Sequence, residues 1–220
     1  MRTGSQGGYD TSRRALRSAL PALLLGFLIW VASVGLHALA GLDLAQALSE
    51  RLALARVAAI VGAIAAGLVL AGAAQLARAR DANRWIPAAL GFFVLWLAEV
   101  VLRLMSLSIG GPTTFELLPV RILLANLALL CLASAMRRIL GGGSRASASW
   151  SFSARAFALQ LIAGMLLWFF LRADLLEASA TLAAALWLFL VAPYAHAYLS
   201  LQRTARALAA SETVAEILTG

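Results

Sequence analysis

The sequence predicts an all-α fold, a polytopic transmembrane bundle of about six helices with both termini in the cytoplasm. Three observations lead to this prediction. The 220 residues are 62% hydrophobic and 13% charged, with a mean hydropathy of +0.88, whereas a soluble domain averages about 45–50% apolar and about 25% charged residues. Six apolar runs are each long enough to cross a hydrocarbon core about 30 Å thick as a helix. Basic residues lie mostly in every second gap between these runs.

The six predicted spans follow one another with short connections. They cover residues 18–38, 54–76, 85–107, 117–135, 157–171 and 178–199. Turn residues mark the connections, notably Gly-Gly-Pro at 110–112 and Gly-Gly-Gly-Ser at 141–144. The chain therefore divides into a cytoplasmic N-terminal tail (1–17), a six-span domain (18–200) and a cytoplasmic C-terminal tail (201–220). Spaced leucines in the last segment predict a short amphipathic helix on the cytoplasmic surface, and a fraying tail is the alternative.

The arginines orient the bundle, because basic loops resist translocation and stay cytoplasmic. All 18 basic residues are arginine, and the net charge is +8. The tails and gaps assigned to the cytoplasm contain Arg2, Arg13, Arg14, Arg17, Arg78, Arg80, Arg84, Arg137, Arg138, Arg145, Arg155, Arg203 and Arg206. This pattern predicts a bacterial inner-membrane protein anchored on anionic lipid headgroups. Nucleic acid is not an expected partner, because the arginines are dispersed over several loops.

The first span permits one alternative. Its preceding arginines, its apolar run and the sequence Ala38-Leu39-Ala40 resemble a signal peptide with a cleavage site. The apolar run is longer than the roughly 7–15 residues usual in signal peptides. We therefore expect the first span to be retained as a membrane helix.

The second span is rich in small residues. Ala59, Ala63, Gly67 and Ala71 recur at every fourth position. In lipid, stripes of small residues let helix backbones approach closely. We predict that this stripe packs against neighbouring helices and that the second span is the most enclosed of the six. A pore-lining role for the stripe is the alternative.

Polar residues inside the third and fourth spans form the candidate functional site. An ionisable side chain at membrane depth costs at least about 2.5–3.5 kcal/mol on insertion scales, so it indicates a partner or an aqueous cavity. Glu99 and Arg103 are four residues apart and share a helix face. With Arg121 and Asn126 of the fourth span, and His37 at the outer end of the first, they predict an outward-facing polar pocket. The alternative is that both arginines snorkel to the interface and one neutralises Glu99.

Tryptophans show a depth pattern of their own. Trp30, Trp96, Trp168 and Trp187 are expected in the outer half of the bilayer under this topology. Tryptophan is enriched at membrane interfaces, where its ring lies at the level of the headgroups. The pattern therefore predicts an interfacial belt.

The residue inventory excludes several chemistries. A chain without lysine has no retinal Schiff base, no pyridoxal site and no Walker phosphate-binding loop. Two histidines, His37 and His196, are too few for a zinc hydrolase site, and they fall near opposite surfaces, so they cannot share a haem. No aspartate lies inside a predicted span, which excludes lipid transferases with paired aspartates on metal. We expect no metal and no cofactor.

One arrangement resembles a known enzyme family. Ser134 and His196 both approach the cytoplasmic side, as the serine and histidine of the catalytic dyad do in six-span rhomboid proteases. We do not expect a hydrolytic dyad at these two residues. Ser134 stands in Ala-Ser-Ala, without the flanking glycines that the family uses.

These patterns predict a transport or binding component without catalytic activity, in which Pro193 of the sixth span supplies a hinge by freeing a backbone carbonyl. A structural membrane subunit of a larger complex is the first alternative. An intramembrane lipid-modifying enzyme or protease is the second. Expected partners are membrane lipids and other membrane subunits or further copies of the chain.

Overall fold

A computed structural model describes residues 4–41, 48–78, 85–109, 118–141, 143–173 and 180–219. These residues form six α-helices, and no strand occurs among them. The helices are α1 (Gly4–Gly41), α2 (Leu48–Leu76), α3 (Trp85–Ile109), α4 (Leu118–Ile139), α5 (Arg145–Arg172) and α6 (Ala180–Thr219). The all-α prediction is confirmed for this part of the chain.

Four helices contain a segment long and apolar enough to cross a membrane, within the residues described above. These segments are Thr11–Leu36 in α1, Arg56–Leu76 in α2, Trp85–Leu102 in α3 and Arg145–Phe170 in α5. They support a membrane-embedded helical bundle. The count of six spans and the side on which the termini lie stay predictions.

The helices close into a ring. Each helix packs against the next one along the chain, and α6 packs back against α1. Consecutive helices are antiparallel, because short connections join neighbours that touch. Therefore α1, α3 and α5 run in one direction and α2, α4 and α6 in the other. We call the end at which α3 and α5 begin the inner end, and the opposite end the outer end.

Glycine makes the contact between α1 and α2 close. A Cβ atom on Gly72 would lie 2.6 Å from Cγ of Leu23, and one on Gly26 would lie 2.8 Å from a methyl carbon of Val69. Both distances are shorter than carbon atoms tolerate, so a side chain at either position would push the helices apart. Close backbone approach of this kind is how helices associate in lipid.

The face that α2 turns to α1 differs from the predicted stripe. Ala59 is buried and Ala63 is partly buried, but Ala71 is exposed and the space beside Gly67 is open. A strict four-residue spacing drifts around a helix that has 3.6 residues per turn, so the later members of the stripe turn away from α1. The contact face instead alternates steps of four and three residues. Its buried members are Ala58, Gly62, Ala65, Val69, Gly72 and Leu76.

Two glycines and a serine build the turn between α4 and α5. Gly141 and Gly143 have φ values of +70° and +97°, which glycine adopts without steric penalty. The Ser144 hydroxyl accepts a 3.0 Å hydrogen bond from the Ser147 N–H and so caps the start of α5. The turn predicted at 141–144 is confirmed at these residues, and Gly142 lies outside the described part.

Helix α5 begins twelve residues before the predicted start of the fifth span, at Arg145. Hydropathy alone marks the serine-rich stretch before residue 157 as a connection. In the structure Ser149 and Ser153 are buried, and their hydroxyls bond to α6. Arg155, which the sequence assigned to a cytoplasmic gap, consequently lies inside a helix.

Both predicted tails continue long helices. Helix α1 begins at Gly4, and Leu16 is already part of the hydrophobic core. Helix α6 passes through Pro193 and runs to Thr219, with Leu201 and Leu208 buried. The leucines of the C-terminal tail thus extend the buried face of α6 toward the inner end of the bundle.

Candidate functional site

An aromatic layer fills the centre of the ring. Trp30 of α1 stacks on Trp96 of α3 with ring centroids 4.0 Å apart and planes 14° apart. Trp30 also stacks on Tyr194 of α6 at 4.9 Å, and Tyr194 contacts Phe157 of α5 at 5.8 Å. Trp30 and Trp96 are buried. These two tryptophans therefore face the interior of the bundle and do not form part of a lipid-facing belt.

The aromatic layer lies near the middle of the membrane-spanning part. The close contacts at Gly26 and Gly72 set the register of α1 against α2 and place Ala65 level with Trp30. Ala65 lies near the centre of the apolar segment Arg56–Leu76. The layer thus separates an outer half of the bundle interior from an inner half.

Buried polar side chains follow the aromatic layer in three helices. In each, an aromatic residue is followed three positions later by a polar one, and the pairs are Trp30 and Ser33, Trp96 and Glu99, and Phe157 and Gln160. Residues three apart share a helix face, and α1, α3 and α5 run in the same direction. The three polar side chains therefore lie about one turn, roughly 5 Å, outward of the aromatic layer.

Asn126 of α4 lies at the same depth. Glu99 is ten residues before the end of α3 at Ile109, and Asn126 is eight residues after the start of α4 at Leu118. At 1.5 Å per residue they are about 15 Å and about 12 Å from the outer ends of two adjacent helices. We call Ser33, Glu99, Asn126 and Gln160 the polar layer. Their exposed fractions are 1%, 7%, 2% and 0%.

The polar layer contains two members of the predicted pocket, Glu99 and Asn126. Arg103, Arg121 and His37 lie in α3, α4 and α1, at positions whose side chains are outside the described part of the structure. The helix geometry places Arg103 one turn outward of Glu99. The membership of these three residues in the pocket stays a prediction.

Ser33 and Gln160 were not among the predicted site residues. The hydroxyl of Ser33 donates a 2.9 Å hydrogen bond to the carbonyl of Ala58 on α2. Gln160 lies close to the predicted start of the fifth span, where polar residues are common and do not indicate a site. The spacing of an aromatic residue and a polar residue three positions later, repeated in α1, α3 and α5, is the signal that identifies both.

A second polar region connects α5 and α6 on the inner side of the aromatic layer. The hydroxyls of Ser149 and Ser200 are 2.7 Å apart, and those of Ser153 and Ser200 are 3.2 Å apart. Ser153 Oγ lies 2.9 Å from Nδ1 of His196. We call this region, with Trp150, Arg203 and Thr204, the inner network.

The direction of most hydrogen bonds in the inner network can be assigned. Arg203 donates to Ser149 Oγ at 2.9 Å, and Ser200 donates to the carbonyl of His196 at 2.9 Å. The short bond between the two serines therefore runs from Ser149 to Ser200. At the inner edge, the Trp150 indole N–H donates to Thr204 Oγ1 at 3.0 Å. Hydrogen bonds between hydroxyls of neighbouring helices are a common means of helix association in membranes.

Ser134, the serine of the resemblance to rhomboid proteases, is not the partner of His196. Its hydroxyl donates to the carbonyl of Leu130 at 2.8 Å, within α4. The serine beside His196 is Ser153 on α5, and the ring of Phe152 lies 4.5 Å from the imidazole. The structure thus assigns a different serine to this histidine.

No group of three His, Cys, Asp or Glu side chains that could hold a metal ion occurs among the described residues. Comparison of the chain with protein-family models, with curated proteins and with solved structures finds no match. The chemistry of the polar layer and of the inner network is therefore the basis for assigning a function.

Proposed function

We propose that the chain is a six-span protein of a bacterial inner membrane that binds or transports a small solute through an outward-facing polar pocket. The polar layer is the observation that carries this proposal. A carboxyl group and two carboxamides are buried at one depth, and they come from three different helices. Buried ionisable residues in membrane helices generally mark solute or ion pathways.

The aromatic layer supports an outward-facing pocket. Stacked rings lie directly inward of the polar layer, so a solute that reaches Glu99 from outside meets a closed layer beyond it. The indole N–H of buried Trp96 has no hydrogen-bond partner among the described residues. A solute or water at the polar layer would supply the acceptor that a buried donor requires. Pro193, adjacent to Tyr194, is a candidate hinge for opening this layer.

The orientation rests on the arginines. Those in described helices concentrate at the inner end, where Arg138 also lies 5.8 Å from the ring centroid of Trp85. Basic residues mark the cytoplasmic side. The inner end is then cytoplasmic, and the polar layer opens toward the outside.

Retention of α1 follows from the same proposal. Its residues Leu23, Phe27 and Trp30 belong to the core. Cleavage after Ala40 would remove one side of the ring and half of the tryptophan stack. The intact mass of the purified protein should therefore include α1.

The experiment compares the wild type with Glu99→Gln in proteoliposomes. Trp30 and Trp96 lie one turn from Glu99, so their fluorescence reports binding during titration with protons, alkali-metal ions and alkylammonium ions. We expect a response in the wild type that weakens at least tenfold in Glu99→Gln, while native mass spectrometry shows unchanged assembly. Unchanged responses together with altered co-purification would instead indicate a structural subunit.

An enzymatic function is favoured by one observation, the 2.9 Å distance between Ser153 Oγ and His196 Nδ1. A nucleophile and its base require this separation. Ser153 is fully buried, however, and its hydroxyl also contacts Ser200, which is typical of helix packing. Labelling by a fluorophosphonate probe that is lost in Ser153→Ala would establish the enzymatic alternative.

A further inference from the structure

Arg155 has an uncommon location for a charged residue. It lies ten residues after the start of α5, and its side chain is exposed on the outside of the ring. It comes two residues before Phe157, whose ring belongs to the aromatic layer. At 1.5 Å per residue, Arg155 is about 3 Å from the level of that layer. Its guanidinium group is therefore directed toward lipid near mid-depth.

An arginine that faces lipid at this depth is energetically costly. Snorkelling to the inner surface relieves the cost for residues near a helix end. Arg155 is about 15 Å from the first residue of α5, which is farther than one side chain extends. No hydrogen bond or ion pair of Arg155 occurs among the described residues. No described residue therefore compensates the charge, and a group from outside the chain can do so.

The surface around Arg155 is an apolar ridge along α5. Together with Arg155 its members recur at steps of three and four residues, and the apolar members are each between 52% and 62% exposed. They are Phe152, Leu159, Ile162, Leu166 and Phe169. Residues at this spacing form one straight face, and such a face fits a second helix. Arg155 occupies the position between Phe152 and Leu159 on that face.

Charge complementarity and depth select the partner. A phosphate of a lipid headgroup stays at the membrane surface, about 15 Å from the midplane of the hydrocarbon core. A carboxylate on a transmembrane helix can lie at the same depth as Arg155. Ion pairs between such residues recur within membranes, because charged side chains pair with one another there.

A second copy of the chain does not supply this carboxylate. Glu99 is the one acidic residue inside the six predicted spans, and it is buried within the ring. Two copies that met along α5 would also bring two Arg155 side chains together. Like charges at such a contact disfavour association.

We infer that the Arg155 face of α5 binds a transmembrane helix of another protein, and that this helix carries an aspartate or glutamate near its midpoint. The inference rests on the membrane location of the bundle and is independent of the polar layer, because Arg155 lies on the outside of the ring. It identifies the surface through which the chain joins a membrane assembly.

A synthetic helix tests this inference. The full-length protein, with a donor fluorophore fused at its C-terminus, is reconstituted into phosphatidylcholine vesicles with acceptor-labelled leucine-rich transmembrane peptides. The peptides carry Asp, Asn or Leu at the midpoint. We expect saturable energy transfer with the Asp peptide, at least tenfold stronger in apparent affinity than with the Leu peptide. Arg155→Leu should reduce the apparent affinity for the Asp peptide to that for the Leu peptide.

Two variants provide controls. Arg145→Leu removes an exposed arginine from the inner end of the same helix and should leave peptide binding intact. Arg155→Lys keeps the charge and should retain a preference for Asp, which also shows that the site tolerates substitution. Equal binding of the Asp and Leu peptides would overturn the inference. Binding of the Asp peptide that survives in Arg155→Leu would also overturn it. The same holds if the wild type binds no peptide and Arg155→Leu loses bound anionic lipid.

Discussion

The polar layer and the inner network both bury polar side chains, but they use them differently. The inner network joins two helices, and its hydroxyl, indole and guanidinium groups bond directly to one another between α5 and α6. The polar layer gathers residues from α1, α3, α4 and α5 at one depth, and Glu99 brings an ionisable group. The first arrangement is suited to holding two helices together. The second brings a carboxyl group and two carboxamides from three helices to one depth, which is suited to the proposed solute site.

Buried polarity alone therefore does not identify a site in a membrane helix bundle. Hydroxyl groups satisfy each other in short interhelical pairs. A carboxylate and two carboxamides offer more donors and acceptors than one helix contact uses. Substitutions should therefore separate the two regions, with stability changing in one and solute binding in the other.

The largest effect is expected at the aromatic layer, which divides the two regions. Trp96→Ala removes the ring stacked on Trp30 and leaves a cavity, so the free energy of unfolding should fall by about 3–5 kcal/mol. Proton leakage across vesicles should rise as the layer opens. Steric-trapping measurements in bilayers give the first quantity and a trapped pH dye gives the second. Phe169→Ala, at an exposed residue, is the control and should change neither.

A smaller loss of stability is expected at the contact between α1 and α2. Gly72→Ala would place a Cβ atom 2.6 Å from Leu23 Cγ and 3.2 Å from a backbone oxygen of Ala19. The resulting overpacking should lower the free energy of unfolding by about 1–3 kcal/mol. Gly67→Ala, where the space is open, should be neutral or stabilising by up to about 1 kcal/mol. Equal effects of the two substitutions in thermal unfolding would contradict the register of α1 and α2.

The inner network should show a modest loss of stability without a loss of binding. Ser200→Ala removes contacts to Ser149 and Ser153, and we expect a cost of about 0.6–1.7 kcal/mol, the range for interhelical hydrogen bonds in membranes. Ser134→Ala is the matched control, because the Ser134 hydroxyl bonds within its own helix. A solute response that disappears in Ser200→Ala would assign the inner network to the solute pathway.

The smallest change in stability is expected in the polar layer. Gln160→Leu replaces a fully buried carboxamide with an apolar group of similar size and removes the polar interaction of that carboxamide, so the free energy of unfolding should fall by about 0.5–1.5 kcal/mol. The fluorescence response to solute should nevertheless weaken at least tenfold, as for Glu99→Gln. A stable variant with an unaltered response would remove Gln160 from the proposed pocket.

Much of the fold follows from the chain without its tertiary structure. Long apolar runs cannot be hidden in a soluble fold of this size, so the all-α bundle was predictable from composition and length. Glycines in the α4–α5 segment predicted the turn, because positive φ values suit glycine. Glu99 and Asn126 stood out because polar groups inside apolar runs are costly. Each of these conclusions depends on local composition alone.

Other features depend on which residues meet across helices. A four-residue spacing drifts around α2, which has 3.6 residues per turn. Ala71 is therefore exposed, and Gly72 lies in the contact with α1. Helix α5 begins at Arg145 and not at the predicted residue 157. The serine-rich stretch before residue 157 resembles a loop in sequence, but α6 supplies hydrogen-bond partners for its hydroxyls.

The helical class, the candidate orientation and the presence of an acid inside an apolar run follow from the amino-acid sequence, because they depend on the cost of placing each residue type in hydrocarbon. The stacking of Trp30 on Trp96 in the interior, and the position of Gln160 at the level of Glu99, depend on how the helices pack. Rotation of each helix about its axis sets these relationships. That rotation is fixed by packing against neighbours, which no single segment encodes.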